Sequence, residues 1–189
     1  GTNERARLPI AAQLPDELHI LSVRAPQSMG APNSFTWYDL DLSGGGLHSS
    51  QPDSEGFRRS LELLHEFVDS AVETYDLDPD RVGLLGFSQG AITSISALLE
   101  RPESYRWVVA LNGYLSDSHE DDIDNADGKP VFVGAGRADR IIPVGRSEAA
   151  ADRFRDLGAD VTLSVHDSPH GVAPDELDDL VAFVAEHDG

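Results

Sequence analysis

Short apolar runs alternate along this chain with stretches in which apolar residues recur every three or four positions. That alternation is the pattern of strands joined by helices. Five runs read as strands: His19–Val23, Val82–Phe87, Trp107–Leu111, Val131–Gly134 and Val161–Val165. Each is compact and apolar, as expected of strands covered on both faces of a parallel sheet. Between them, Phe57, Leu61, Leu64, Val68 and Val72 form a stripe at helical spacing, so a long helix is predicted from about Asp53 to Tyr75 with that stripe against the sheet. Gly90–Leu99 and Val144–Leu157 read as two more helices, the second ended by Gly158. Leu177, Leu180, Val181 and Val184 repeat the pattern near the end, with Pro174 in the first turn and Asp175 and Glu176 suited to a helix N-terminus. The pattern predicts one α/β domain over residues 1–189, a mostly parallel sheet flanked by helices.

The punctuation agrees with that layout. Asp78-Pro79-Asp80 turns the long helix into the next strand. The stretch from Gln27 to Ser54 is rich in Gly, Ser, Pro and Asn, carries Trp37 and Tyr38, and is too long for a routine connection; it is expected to be a surface loop over something. The acidic stretch from Ser116 to Lys129 is expected to be a solvated excursion.

Composition narrows the partners. Of 189 residues, 34 are acidic and 14 basic, a net charge of −20 that repels phosphate backbones and anionic lipid, so nucleic acid is not an expected partner. No apolar stretch approaches the roughly 20 residues of a spanning helix. The absence of cysteine removes disulfides, thiolate nucleophiles and Cys-ligated metal. The cations are thirteen Arg and one Lys, Lys129, a balance that resembles cytoplasmic proteins of salt-loving microbes. Self-repulsion of this size is relieved when salt shortens the screening length to about 3 Å at 1 M.

The chemistry is concentrated where the strand Val82–Phe87 runs into Gly86-Phe87-Ser88-Gln89-Gly90 and then a helix. A G-x-S-x-G sequence in a strand-turn-helix context is a nucleophile elbow. Its bend holds Ser88 in a strained conformation, and side chains at positions 86 and 90 are expected to clash. The Gln89 backbone N–H, at the helix N-terminus, is placed to donate to a developing oxyanion. A serine hydroxyl needs a base, and the base needs a carboxylate that fixes its tautomer. Elbow hydrolases carry these in the chain order Ser, Asp or Glu, His, on loops after later strands. Of seven histidines, His166 and His170 follow the last strand run closely. His166 continues the strand alternation, whereas His170 sits in the turn Ser168-Pro169-His170-Gly171 and is the expected base. Asp139, leaving the strand Val131–Gly134, is the expected acid, with Asp117 after the preceding strand as the alternative.

Gly86-Phe87-Ser88-Gln89-Gly90-Ala91, Gly136-x-x-Asp139-x-x-x-Pro143 and Ser168-Pro169-His170-Gly171 together resemble the phospholipase/carboxylesterase family, whose relatives include acyl-protein thioesterases. The resemblance covers nearly the whole chain, and Trp37-Tyr38-Asp39 resembles the family's W-[FY]-D segment near the acyl site. It implies a lidless α/β-hydrolase fold without metal or cofactor, and cleavage of small-molecule carboxylic esters or thioesters. It also implies Ser88, Asp139 and His170 as catalytic residues, with Gln89 as one oxyanion donor. Trp37, with Phe35, is the expected lining of an acyl slot. The family also carries an upstream strand ending in H-G-x-G that supplies a second oxyanion N–H. Gly1-Thr2-Asn3-Glu4-Arg5 resembles the tail of that motif, so one or more N-terminal strands are expected to lie outside this chain.

Four other readings compete. A serine peptidase on the same fold differs in the bond it cleaves, and a non-catalytic binding protein keeps the fold without the reaction. A dinucleotide site at Gly134-Ala135-Gly136 lacks the third glycine at the expected offset. A metal site has only His166 and His170 closely spaced, and no third ligand from the same loop.

Overall fold

The sheet is built from four parallel strands in the order β1-β2-β3-β4. They span Gly83–Phe87 (β1), Trp107–Leu111 (β2), Pro130–Gly136 (β3) and Asp160–His166 (β4) in a computed structural model that describes residues 3–6, 8–119 and 126–188. Besides a single turn of helix at Leu8–Ala11, four longer helices accompany them: α1 (Ser54–Tyr75), α2 (Gln89–Glu100), α3 (Val144–Asp156) and α4 (Pro174–His187). Side chains alternate across β2, and both sets are buried. Val108 and Ala110 pack with residues of α1, α2 and α3, whereas Trp107, Val109 and Leu111 pack with Leu180, Phe183 and Val184 of α4. A strand covered on both faces has no polar positions to show, which is why it reads as an unbroken apolar run.

The helix ends follow local chemistry. Asp53 caps α1 by accepting the Gly56 N–H, and the chain leaves α1 through Asp76 in the left-handed region. At α4, the buried carboxylate of Glu176 reaches back to accept the Ala173 N–H at 3.1 Å. A Cβ on Gly134 would fall on the other oxygen of that carboxylate, so β3 needs a glycine here to admit Glu176 beneath the α4 terminus. Burial raises the pKa of Glu176.

The run His19–Val23 is not a strand. It carries no secondary structure, and a cavity of about 470 Å³ separates it from β1. Leu18–Val23, Leu84–Phe87 of β1, and Leu64, Phe67, Val68, Ala71 and Val72 of α1 all line that cavity. A strand exists only when its N–H and C=O groups meet a neighbour about 4.8 Å away, and an apolar run alone does not bring that neighbour. The same cavity leaves Phe67 exposed and Val68 and Val72 only half-buried, although the α1 stripe is buried at Phe57, Leu61 and Leu64. Asn3, Glu4 and Arg5 lie before this segment, with Glu4 paired to Arg24 at 2.7 Å; Gly1 and Thr2 are outside the described residues.

The connection from Gln27 to Ser54 is more ordered than its composition suggests. Gln27–Ser28 pairs with Phe35–Thr36, and Leu40–Asp41 pairs with Gln51–Pro52, both antiparallel. Its far end is tied down at the Ser50 carbonyl, which accepts from the Tyr114 hydroxyl at 2.8 Å and from Arg146 at 3.0 Å. The start of the acidic stretch also departs from the solvated excursion expected. Ser116 and His119 are buried, and Glu100 bridges His119 and His65 at 3.1 and 3.0 Å. Burial pushes the Glu100 carboxyl up, but the bonds to His119 and His65 outweigh it and hold its pKa at about 2. Residues 120–125 of that stretch lie outside the described residues. Among the described residues no helix is long and apolar enough to cross a membrane.

Candidate active site

Between the last residue of β1 and the first of α2 there is one residue, Ser88, with φ 55° and ψ −120°. A non-glycine side chain at positive φ is strained, and the strain aims its Oγ away from the sheet edge. The bend is anchored by the Ser88 N–H, which donates to the Leu111 carbonyl at the end of β2 at 2.9 Å. A Cβ on Gly86 would land on the Gly90 carbonyl, so the first glycine of the motif is sterically required. The second is not: a Cβ on Gly90 meets only the Trp37 Nε1, at an ordinary 3.8 Å. The expectation of a clash at both positions therefore holds at 86 alone. Gly86→Ala is expected to cost about 1–3 kcal/mol as overpacking. Gly90→Ala, in a helical first turn, is expected to be neutral or to gain up to about 1 kcal/mol of helix propensity. Urea unfolding of the two variants checks the contrast.

Two later loops bring the other groups to Ser88. Arg137 and Ala138, after β3, donate backbone bonds to the carbonyls of His166, the last residue of β4, and Ser168 beyond it, at 2.8 and 3.0 Å. A Cβ on Gly136 would strike the Ser168 carbonyl, so that glycine lets the loops close on each other. His170 Nε2 then lies 3.1 Å from Ser88 Oγ, and His170 Nδ1 lies 2.6 Å from Asp139 Oδ2. The imidazole also packs on Phe87, with ring centroids 4.9 Å apart. Ser88, His170 and Asp139, residues picked out in the sequence, are thus joined in one hydrogen-bonded line.

The carboxyl of Asp139 is buried and fully engaged. Oδ1 accepts from the Ile141 and Ile142 N–H groups at 2.8 and 3.0 Å, and Oδ2 accepts from Asn112 Nδ2 at 3.1 Å as well as facing His170. Burial raises its pKa; the bonds to His170, Ile142 and Ile141 outweigh this and leave it below the usual carboxylate range. Asp139 is therefore an ionised acceptor, which selects the tautomer with the proton on His170 Nδ1 and leaves Nε2 free to accept from Ser88.

Asn112 was not among the sequence candidates. It follows β2 directly at φ 50°, a conformation that asparagine tolerates better than most residues. The Leu111-Asn112-Gly113 step is the signal: a turn dipeptide at a strand end that aims an amide at the neighbouring loop.

The other candidates are placed elsewhere. Asp117 is exposed and exchanges bonds with the side chain of Gln51, with Gln51 Nε2 donating to it at 2.6 Å. His166 bonds Ser164 at 2.6 Å within β4, so the two closely spaced histidines face different partners. Phe35 lies beneath the Arg24 guanidinium, with its ring centre 4.6 Å away. Trp37 is half-buried, with its indole against the first turn of α2. Gly134 and Gly136 are packing glycines beneath Glu176 and Ser168, which leaves them no phosphate-binding role. The Gln89 N–H belongs to the first turn of α2, where backbone donors lack intrahelical acceptors.

Comparison with known proteins bears on the fold and the family. A family model described as Phospholipase/Carboxylesterase matches residues 12–188. Acyl-protein thioesterase 1 of Gibberella zeae is 28% identical over 185 residues, covering 94% of this chain and 74% of that protein. Acyl-protein thioesterase 1 of Saccharomyces cerevisiae is 29% identical over 143 residues, and the match spans 71% of this chain and 62% of its own length. Among solved structures, esterase PE8 superposes with a TM-score of 0.74 at 30% identity, over 86% of this chain and 75% of that one.

Proposed function

This chain belongs to the phospholipase/carboxylesterase family of α/β-hydrolases, and we propose that it cleaves small-molecule carboxylic esters or thioesters through an acyl-Ser88 intermediate. The observation that carries the reading is the continuous line Ser88 Oγ, His170 Nε2, His170 Nδ1, Asp139 Oδ2. His170 takes the Ser88 proton as Oγ attacks the acyl carbonyl, and Asp139 stabilises the imidazolium that forms. The oxyanion is met by the Gln89 N–H at the positive end of α2. His170 returns its proton to the leaving alcohol or thiol. Water, deprotonated by the same imidazole, then attacks the acyl carbon, and His170 returns that proton to Ser88 Oγ as the acid is released. Trp37 walls the acyl side.

The test is a matched set of substrates with one acyl group: a p-nitrophenyl ester, a thioester and an anilide. Ester and thioester turnover, with a fluorophosphonate adduct on Ser88, is the expected result. Anilide cleavage in preference to both would favour the peptidase, and an unreactive Ser88 would favour a binding protein.

The charge of −20 leads us to place the enzyme in a high-salt cytoplasm. Its melting midpoint is expected to climb between 0.1 and 2 M KCl, by about 2–4 °C for each kcal/mol of self-repulsion screened. A flat or falling midpoint in a thermal scan would remove the salt adaptation and leave the reaction untouched.

A further inference from the structure

The mechanism above uses only the backbone of Gln89, yet its side chain is the more heavily bonded part. Its Oε1 accepts the Trp37 N–H at 3.2 Å, and its Nε2 donates to the Tyr38 carbonyl at 3.0 Å. Thr36 Oγ1 lies 2.8 Å from both Gln89 Oε1 and the Tyr38 carbonyl, so its single proton serves one or the other. The Trp37 carbonyl is held separately, by the Ser60 hydroxyl from α1 and by Gln27 Nε2 at 3.4 Å. Trp37 lies in no ladder, and yet both of its backbone polar groups are bound by side chains from distant parts of the chain. A carboxamide offers an acceptor to Trp37 and a donor to Tyr38 at once; a carboxylate lacks the donor and a methyl group lacks both.

The consequence falls on the indole. With its backbone held at both ends, Trp37 rests its side chain against the first turn of α2 at Gly90 and beside the core cluster. That turn also presents the Gln89 N–H. Gln89 therefore joins the proposed acyl wall to the oxyanion donor, with Ser60 and Gln27 holding the far side of Trp37.

We propose that the Gln89 carboxamide is a positioning residue for acyl selection, which fixes Trp37 and thereby the depth available to the acyl chain next to the reacting carbonyl. The inference rests on the acyl-Ser88 reading and deepens it: the substrates selected are those whose linear acyl chain fits against a fixed indole. A fixed apolar wall discriminates by about tenfold or more per methylene, and a mobile one does not.

The experiment compares the parent with Gln89→Ala, Gln89→Glu and Thr36→Val over a series of p-nitrophenyl esters of increasing chain length. A small methyl fluorophosphonate, which has no acyl chain, measures Ser88 reactivity separately. For the two Gln89 variants, the ratio of kcat/KM between the preferred ester and one four carbons longer is expected to fall by about tenfold. KM for the preferred ester should rise by a larger factor than kcat falls. Thr36→Val, which disturbs the same clasp from the loop side, should flatten the profile in the same direction, and it decides the matter if the Gln89 variants do not fold. A chain-length profile parallel to the parent's overturns the proposal, as does a loss of phosphonylation rate equal to the loss in kcat/KM, which would put the side chain's effect on the elbow itself. A parent enzyme whose Ser88 resists phosphonylation would instead defeat the underlying reading.

Discussion

Replacing Ser88 by alanine is expected to lower p-nitrophenyl ester turnover by about 10⁴–10⁶-fold and to abolish fluorophosphonate labelling. The size of the effect follows from what remains. Alanine keeps the fold and relieves no contact, but it leaves His170 with only water to activate. Water is not held at the acyl carbon by the bend between β1 and α2, so the advantage of a positioned nucleophile is lost. The residual rate comes from the Gln89 N–H and substrate binding. Stability should change little, since both residues carry a Cβ in the strained region at φ 55° and the variant loses only the bond to His170. Mass spectrometry of phosphonylated peptides checks the assignment, and an adduct retained on another residue of the variant would move the nucleophile away from position 88.

Asp139→Asn is expected to cost about 10⁴-fold in kcat with little change in the fold. The surrounding donors dictate how the new amide sits. The N–H groups of Ile141 and Ile142 require an acceptor at the Oδ1 position, so the amide oxygen occupies it and the NH₂ turns toward His170 and Asn112. An NH₂ facing His170 Nδ1 favours the tautomer protonated on Nε2, and that tautomer cannot accept from Ser88. The same NH₂ opposes the Asn112 amide donor, so modest destabilisation is expected as well. The pH dependence separates the two effects. The Asp139 pKa in the fold is depressed. Its contribution to stability is therefore full above the ordinary carboxylate pKa of about 3.9 and disappears as pH falls through the lowered folded value. Melting curves of parent and variant should thus converge in acid and stay apart at pH 7, while the loss of kcat is measured at pH 7. Parallel melting curves across that range would mean that the carboxylate is not stabilised by its donors.

These two residues were legible from the order of chain segments. A strand, a bend with glycine at 86, and two strand-loop units carrying Asp139 and His170 are each local patterns. A parallel α/β sheet also delivers successive loops to the same edge. Where the reading missed, the deciding contact came from far along the chain. His19–Val23 has a strand's apolar pattern but lies across a cavity from β1. Gly90 looked as constrained as Gly86 because the motif is symmetric on paper, but the steric partner of position 86 is the Gly90 carbonyl, and position 90 has no such partner. His119 sits in an acidic segment and was read as solvated, but Glu100 draws it inward. Asn112 and the side chain of Gln89 escaped notice because neither has a periodicity; each is defined by the groups that it reaches.

By itself, the sequence determined the strand and helix succession over most of the chain, the elbow at Ser88 and the chain order of an acid and a base behind it, because these depend on spacings within a few residues. Tertiary structure alone decided that Asp139 and not Asp117 faces His170, that Asn112 and two backbone N–H groups surround that carboxylate, and that Gln89 clasps Trp37. The physical reason is one of range. Periodicity and bend chemistry are settled by neighbours along the chain, whereas hydrogen bonds between loops exist only once the packed sheet has brought their donors within about 3 Å of their acceptors.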